Sequence, residues 1–120
     1  MSTSSQPPKR GEIWDIDLNP TRGQEINKTR PAVVISSDGV GKLRLKIIVP
    51  ITEWQGSFEG SFWHVPMQPT PVNGLTKASA ADALQVRSLS LDRFLRCRGR
   101  ATKQELEEVV QALAAVVEFS

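Results

Sequence analysis

The 120-residue chain has one cysteine, one histidine and no tyrosine. With Cys97 alone no internal disulfide can form, which suits a reducing compartment. No cysteine pair stands at metal-ligand spacing, so a standard zinc site is excluded. There is also no Gly-rich phosphate loop with a lysine and no G-x-S-x-G elbow, which removes the standard nucleotide and serine-hydrolase readings. Long apolar runs are missing as well. Hydrophobic residues make up 39% of the chain, but in runs of only a few, against the roughly 20 that a spanning helix needs. The opening "MSTSSQPPKR" lacks the apolar centre of a secretory signal, so residues 1–9 read as a flexible tail and the protein as cytoplasmic, with no membrane partner.

What remains is enough for one domain, residues 10–120. Its charge is unevenly spread. From Thr102 to Ser120 one lysine faces four glutamates, so that segment carries −3 and residues 1–101 carry +5 of the net +2. Arg96, Arg98 and Arg100 alternate in "RFLRCRGR". Such a basic front suits a polyanionic partner, although a charged edge strand that resists aggregation explains the same pattern.

Alternation in "EIWDIDL" places Trp14, Ile16 and Leu18 on one strand face, with Asp15 and Asp17 on the other. The polar stretch "NPTRGQEINKTR" is long for a small domain and is a candidate functional loop. The strand "PAVVISS" follows it. "LRLKIIVP" alternates Leu43, Leu45, Ile47 and Val49 against Arg44 and Lys46, and further strands are expected at "SFWHVPM", "DALQVRSL" and "FLRCRGR". At the end, Thr102 and Glu105 form a capping box for a helix whose apolar stripe is Leu106, Val109, Val110, Leu113, Val116 and Val117. The expected fold is mainly β (α+β): a small barrel closed on one side by a C-terminal amphipathic helix.

Arg30 precedes the proline that opens a buried strand, where a permanently charged group serves no packing purpose. Pro31 biases it toward extended geometry at a strand mouth. Glu25, Lys28 and Arg30 lie on one loop, and Thr52 follows the proline of "IIVPIT". If the flanking strands are neighbours, a carboxylate, a guanidinium and a hydroxyl converge, as phosphodiester cleavage requires. A surface ion pair and a turn threonine are the plainer alternative. His64 reads as a packing residue, Cys97 as a half-buried structural thiol, and Asp15 with Asp17 as the wet side of a strand rather than metal ligands.

The blocks "RGEIWDIDLNPTRGQE", "KTRPAVVISSD", "IIVPIT" and "LQVRSLSLDRF", followed by the capped helix, resemble the MazF/PemK family of toxin endoribonucleases from type II toxin–antitoxin systems. The resemblance runs in order through residues 10–118. It implies an SH3-like barrel, a homodimer, cleavage of single-stranded RNA at short sequences without metal or other cofactor, and neutralisation by a cognate antitoxin protein. Carried over by motif, the catalytic arginine falls on Arg30, the catalytic hydroxyl on Thr52 and the loop carboxylate on Glu25. Arg22, Lys28, Gln85 and Arg87 become candidate RNA contacts, although Gln85 and Arg87 could equally tie their strand to the neighbouring loop.

One position departs from the pattern. Many relatives have an aspartate where this chain has Leu84, and the nearest acid is Asp82. An alternative from another class is a CcdB-like poison of DNA gyrase, which shares the barrel; such toxins act through a terminal Trp-Gly-Ile, whereas this chain ends "VVEFS". A non-catalytic RNA-binding barrel is the third reading.

Overall fold

A computed structural model describes residues 6–40 and 43–119. Seven strands precede one helix: β1 (Glu12–Asp17), β2 (Thr29–Val34), β3 (Leu45–Glu53), β4 (His64–Met67), β5 (Ser79–Asp82), β6 (Arg87–Ser90), β7 (Phe94–Arg100) and α1 (Lys103–Val116). All ladders are antiparallel. The strands run in the order β4, β5, β3, β2, β1, β7, and β6 pairs with the first half of β3. The mainly-β fold with a terminal helix is as expected. Its sheet, however, stays open, because among the described residues no ladder joins β4 or β6 to β7.

Successive strand side chains point to opposite faces, and here both faces of the central strands are covered. Ile13, Val33, Val49 and Ile51 form one core with Leu106, Val109 and Ala112 of α1. Ile16, Leu18, Ala32, Val34, Ile48 and Leu89 form the other, with Trp14 packed at its edge. The helix begins as expected: Thr102 Oγ1 accepts from the Glu105 amide at 3.0 Å, and the Thr102 amide donates to Glu105 Oε1 at 2.8 Å. Its stripe is shorter than expected, since Val117 is the exposed C-cap. No described helix is long and apolar enough to cross a membrane.

In the first half of β3 it is the lysine side of the alternation that faces the core. Lys46 is only 3% exposed, while Leu45 and Ile47 are 46% and 42% exposed and Leu43 is more so. Alternation separates two faces without saying which one meets the body of the protein. The register decides it: Lys46 stands opposite buried Leu89, and Leu45 and Ile47 stand opposite Ser90 and Ser88. The aliphatic lysine stem can line apolar surface, so its charge does not forbid this side. The expected strand "DALQVRSL" is divided by a 3-10 turn, Ala83–Gln85, whose amide at Leu84 donates to Asp82 Oδ1 at 3.1 Å. Of the expected tail, residues 1–5 lie outside the described residues, whereas Pro8 is buried and the Lys9 amide donates to Glu12.

Candidate active site

Arg30 opens β2 and Thr52 lies near the end of β3. The β2–β3 ladder pairs Val34 with Ile48, Val33 with Val49 and Ala32 with Pro50. Beyond that last pair β3 turns to β5, with Thr52 opposite Ala80, while Arg30 stands opposite Ile16 of β1. Proline donates no ladder hydrogen bond, so Pro31 and Pro50 loosen the pairing where these side chains emerge. Both residues line one cleft of about 230 Å³, together with Thr29, Glu53, Thr76, Lys77, Ser79 and Arg98. Arg30 Nε donates to the Asn27 carbonyl at 3.2 Å. That single bond fixes the plane of the guanidinium and leaves its two terminal nitrogens without a protein partner among the described residues. A half-buried, oriented and unpaired fork can meet two phosphate oxygens at once.

Glu25 does not join them. Its Oε1 accepts from the Arg22 amide at 2.6 Å and closes the turn Arg22–Glu25, and it lines a separate cleft with Gln24, Leu84, Gln85, Val86 and Arg87. The expected convergence is therefore that of the guanidinium and the hydroxyl alone. The carboxylate in the Arg30 cleft is Glu53, which stands one residue beyond "IIVPIT" and has no signal of its own in the sequence. Its Oε1 accepts from Lys77 Nζ at 3.1 Å.

Gln85 and Arg87 tie the loop down. Gln85 Oε1 accepts from the Ile26 amide at 3.1 Å and its Nε2 donates to the Gln24 carbonyl at 2.9 Å. Arg87 donates to the Leu18 carbonyl at 3.0 Å, and Arg93 to the carbonyls of Asp17 and Asn19. Lys28 is exposed with a left-handed φ of 68°, its amide held by the Asn19 side chain. Because Gln85 of the 3-10 turn, Arg87 of β6 and Arg93 hold its backbone, the loop delivers Arg30 in a defined place.

The residues of the cleft's far wall come from the 70–77 loop, which no sequence motif announced. Asn73 is fully buried and accepts from the Thr70 and Leu75 amides at 2.9 and 3.0 Å. Gly74 has φ +69°, and a side-chain carbon there would sit 2.3 Å from the Arg98 carbonyl oxygen. Only glycine fits so close an approach to β7. Arg98 is a bulge residue, skipped between the pairs Ile13–Gly99 and Trp14–Cys97. The bulge lets Arg98 Nε reach Asp15 Oδ1 at 2.6 Å, while Arg96 Nη2 reaches Oδ2 at 3.1 Å.

That double clamp occupies both oxygens of Asp15, and Asp17 Oδ1 accepts from the Asn19 amide. Among the described residues no three His, Cys, Asp or Glu side chains stand together as metal ligands. His64 is packed, as expected: its ring stacks on Phe58 at 3.8 Å, with Nδ1 2.7 Å from Ser61 Oγ and Nε2 3.3 Å from Asp82 Oδ2. Asp82 is thus engaged with His64 and the 3-10 turn, so it does not stand in for the acid absent at Leu84. Cys97 is exposed rather than half-buried. Its thiol pKa is nonetheless pushed up by local desolvation first and by the Glu12 carboxylate second, so the neighbouring arginines do not activate it.

Known proteins resemble the chain along nearly its whole length. The pattern of the family described as "PemK-like, MazF-like toxin of type II toxin-antitoxin system" matches residues 9–117. The chain is 34% identical over 111 residues to "Endoribonuclease MazF9" of Mycobacterium tuberculosis, covering 88% of this chain and 92% of that one. Its fold is similar to crystalline MazF of Deinococcus radiodurans, with a TM-score of 0.80, 23% identity and coverage of 96% and 100%. It is also similar to a mycobacterial endoribonuclease solved with its cognate antitoxin, with a TM-score of 0.73, 19% identity and coverage of 94% and 97%. With a match that spans nearly the whole domain and a relative of this identity over most of its length, the chain belongs to the PemK/MazF family of type II toxins.

Proposed function

We propose that the protein is a sequence-specific endoribonuclease toxin that cuts single-stranded RNA without a metal ion. The observation that carries this reading is the shared cleft of Arg30 and Thr52, with the Arg30 fork free to bind phosphate. The 2′-OH of the substrate attacks the adjacent phosphorus in line. Arg30 keeps its charge and stabilises the charge that develops on the phosphorane oxygens and on the departing 5′ oxygen, and the Thr52 hydroxyl positions a phosphate oxygen. A bond from O2′ to phosphorus forms and the bond to O5′ breaks. Over the cycle the O2′ proton passes to solvent and O5′ takes one proton from solvent, so water is not consumed. The ends are a 2′,3′-cyclic phosphate and a 5′-OH.

Glu25 supports the loop that carries Arg30, and Arg22 and Lys28 present positive charge on the same loop toward RNA. Gln85 and Arg87 border the adjoining cleft, where their hydrogen-bonding edges serve RNA as well as the loop. The protein acts in the cytoplasm as a homodimer, which covers the outward apolar strip of Leu43, Leu45 and Ile47. A cognate antitoxin blocks it. Incubation of the purified protein with a long RNA in EDTA tests the reading: discrete fragments support it, and intact RNA removes it.

A further inference from the structure

The mouth of the Arg30 cleft holds an ion pair that the chemistry above leaves unused. Lys77 Nζ lies 3.1 Å from Glu53 Oε1, with both side chains about three-fifths exposed. Glu53 directly follows Thr52, and Lys77 is brought there by the loop that Gly74 and buried Asn73 lock against β7. The Ser79 hydroxyl adds a further tie by donating to the Lys77 carbonyl at 2.8 Å. Backbone around Lys77 is thus fixed while its ammonium is exposed. The other two cations of the cleft differ from it. Arg98 is spent on Asp15 and on the Gly74 carbonyl, and Arg30 is the one assigned to the scissile phosphate. An exposed pair such as Lys77–Glu53 is held weakly and opens readily.

We propose that Lys77 is a second RNA-phosphate contact of this cleft, occupied by Glu53 in the free protein and handed to the backbone of the bound strand. The inference rests on the ribonuclease reading for its substrate. A strand whose scissile phosphate meets Arg30 carries its next phosphate at a short reach along the cleft. The ammonium of Lys77 then exchanges a carboxylate partner for a phosphate, and Glu53 faces the strand as a negative group that disfavours misplaced phosphates. Thus Lys77 supplies affinity and Glu53 lowers it.

The test uses an RNA oligonucleotide pool with 2′-O-methyl groups throughout, which cannot undergo 2′-OH attack, and fluorescence anisotropy between 50 and 200 mM salt. Removing one phosphate contact from a single strand lowers the slope of log affinity against log salt by about 0.7. Lys77→Ala should show this, and Lys77→Arg should restore it. Glu53→Gln should bind more tightly, by up to about fivefold at 50 mM salt. An unchanged slope in Lys77→Ala overturns the phosphate contact. Unchanged affinity in Glu53→Gln, or a fall in cleavage without a change in affinity, overturns the handover and makes Glu53 a group of the reaction itself. Cleavage of unmodified RNA by the wild type is followed in parallel. A protein that binds with the expected slopes yet never cleaves retains the Lys77 contact and loses only the ribonuclease reading.

Discussion

Arg30 and Thr52 sit on neighbouring strands, each two residues beyond the last pair of their ladder, Ala32–Pro50, and they line the same cleft. Arg30→Ala should therefore lower cleavage by roughly 10²–10³, equivalent to about 3–4 kcal/mol of transition-state stabilisation, while leaving the far-ultraviolet circular dichroism unchanged. Thr52→Ala should be milder, since a hydroxyl bond is weaker than a charge-assisted one. A folded Arg30→Ala protein that cleaves at the wild-type rate would place the chemistry elsewhere.

Gln85 bonds the loop through both ends of its amide. Gln85→Ala should free the Ile26 amide, and native-state hydrogen exchange at Ile26 should quicken by about tenfold for each ~1.4 kcal/mol of lost local stability. Unchanged exchange in the variant, with weaker RNA binding, would assign Gln85 to RNA alone.

The Arg30–Thr52 pair was legible in the sequence because two prolines mark the strand ends and an arginine beside a buried strand has no packing reason to be there. The capped helix was equally legible, from Thr102, Glu105 and a 3.6-residue stripe. Other features depend on contacts that no local pattern contains. Lys46 faces inward because β6 sets Leu89 against it, and Glu25 stands apart because the Arg22 turn folds it toward Gln85. The wall carrying Lys77 arises where Gly74 meets the Arg98 backbone, a distance that only the folded chain defines. The arginines of "RFLRCRGR" alternate in sequence, but Arg96 stands opposite Asp15 in the ladder and a bulge brings Arg98 to the same carboxylate.

Asp15 holds Arg96 and Arg98 together, and the two bonds differ in weight. The Arg98 side chain is 22% exposed and that of Arg96 is 70% exposed. Asp15→Asn should lower unfolding stability by about 1–3 kcal/mol, and Arg96→Ala by under about 1 kcal/mol because solvent screens that pair. Urea midpoints check the order. Equal losses in the two variants would mean that the Arg98 bond contributes nothing measurable beyond the Arg96 pair.

The Cys97 thiol titrates above its ordinary value, from desolvation and then Glu12. Its neutral form is favoured in the folded state, so the associated stability is complete below the unfolded pKa and is lost as pH rises through the folded one. Iodoacetamide at pH 8 should modify the native protein more slowly than the urea-unfolded chain, and Glu12→Gln should quicken the native reaction. A native thiol that reacts faster than the unfolded one would mean that the Gly99 carbonyl contact and Arg100, which act in the opposite direction, outweigh both effects.

The products report the reaction most directly. The nucleophile nearest the phosphate is the substrate's own 2′-OH, and its attack closes a five-membered ring on phosphorus with Arg30 facing the charge. RNA bearing 2′-deoxy or 2′-O-methyl at the nucleotide before the scissile bond should bind normally yet stay intact, with or without magnesium. Unmodified RNA should yield 5′-OH ends that polynucleotide kinase labels without prior phosphatase treatment. Fragments carrying 5′-phosphates, or cleavage of the blocked RNA, would require water as nucleophile. In that case Arg30 would still hold the phosphate, but Thr52 and the proton path assigned here would have to be replaced by a base that activates water.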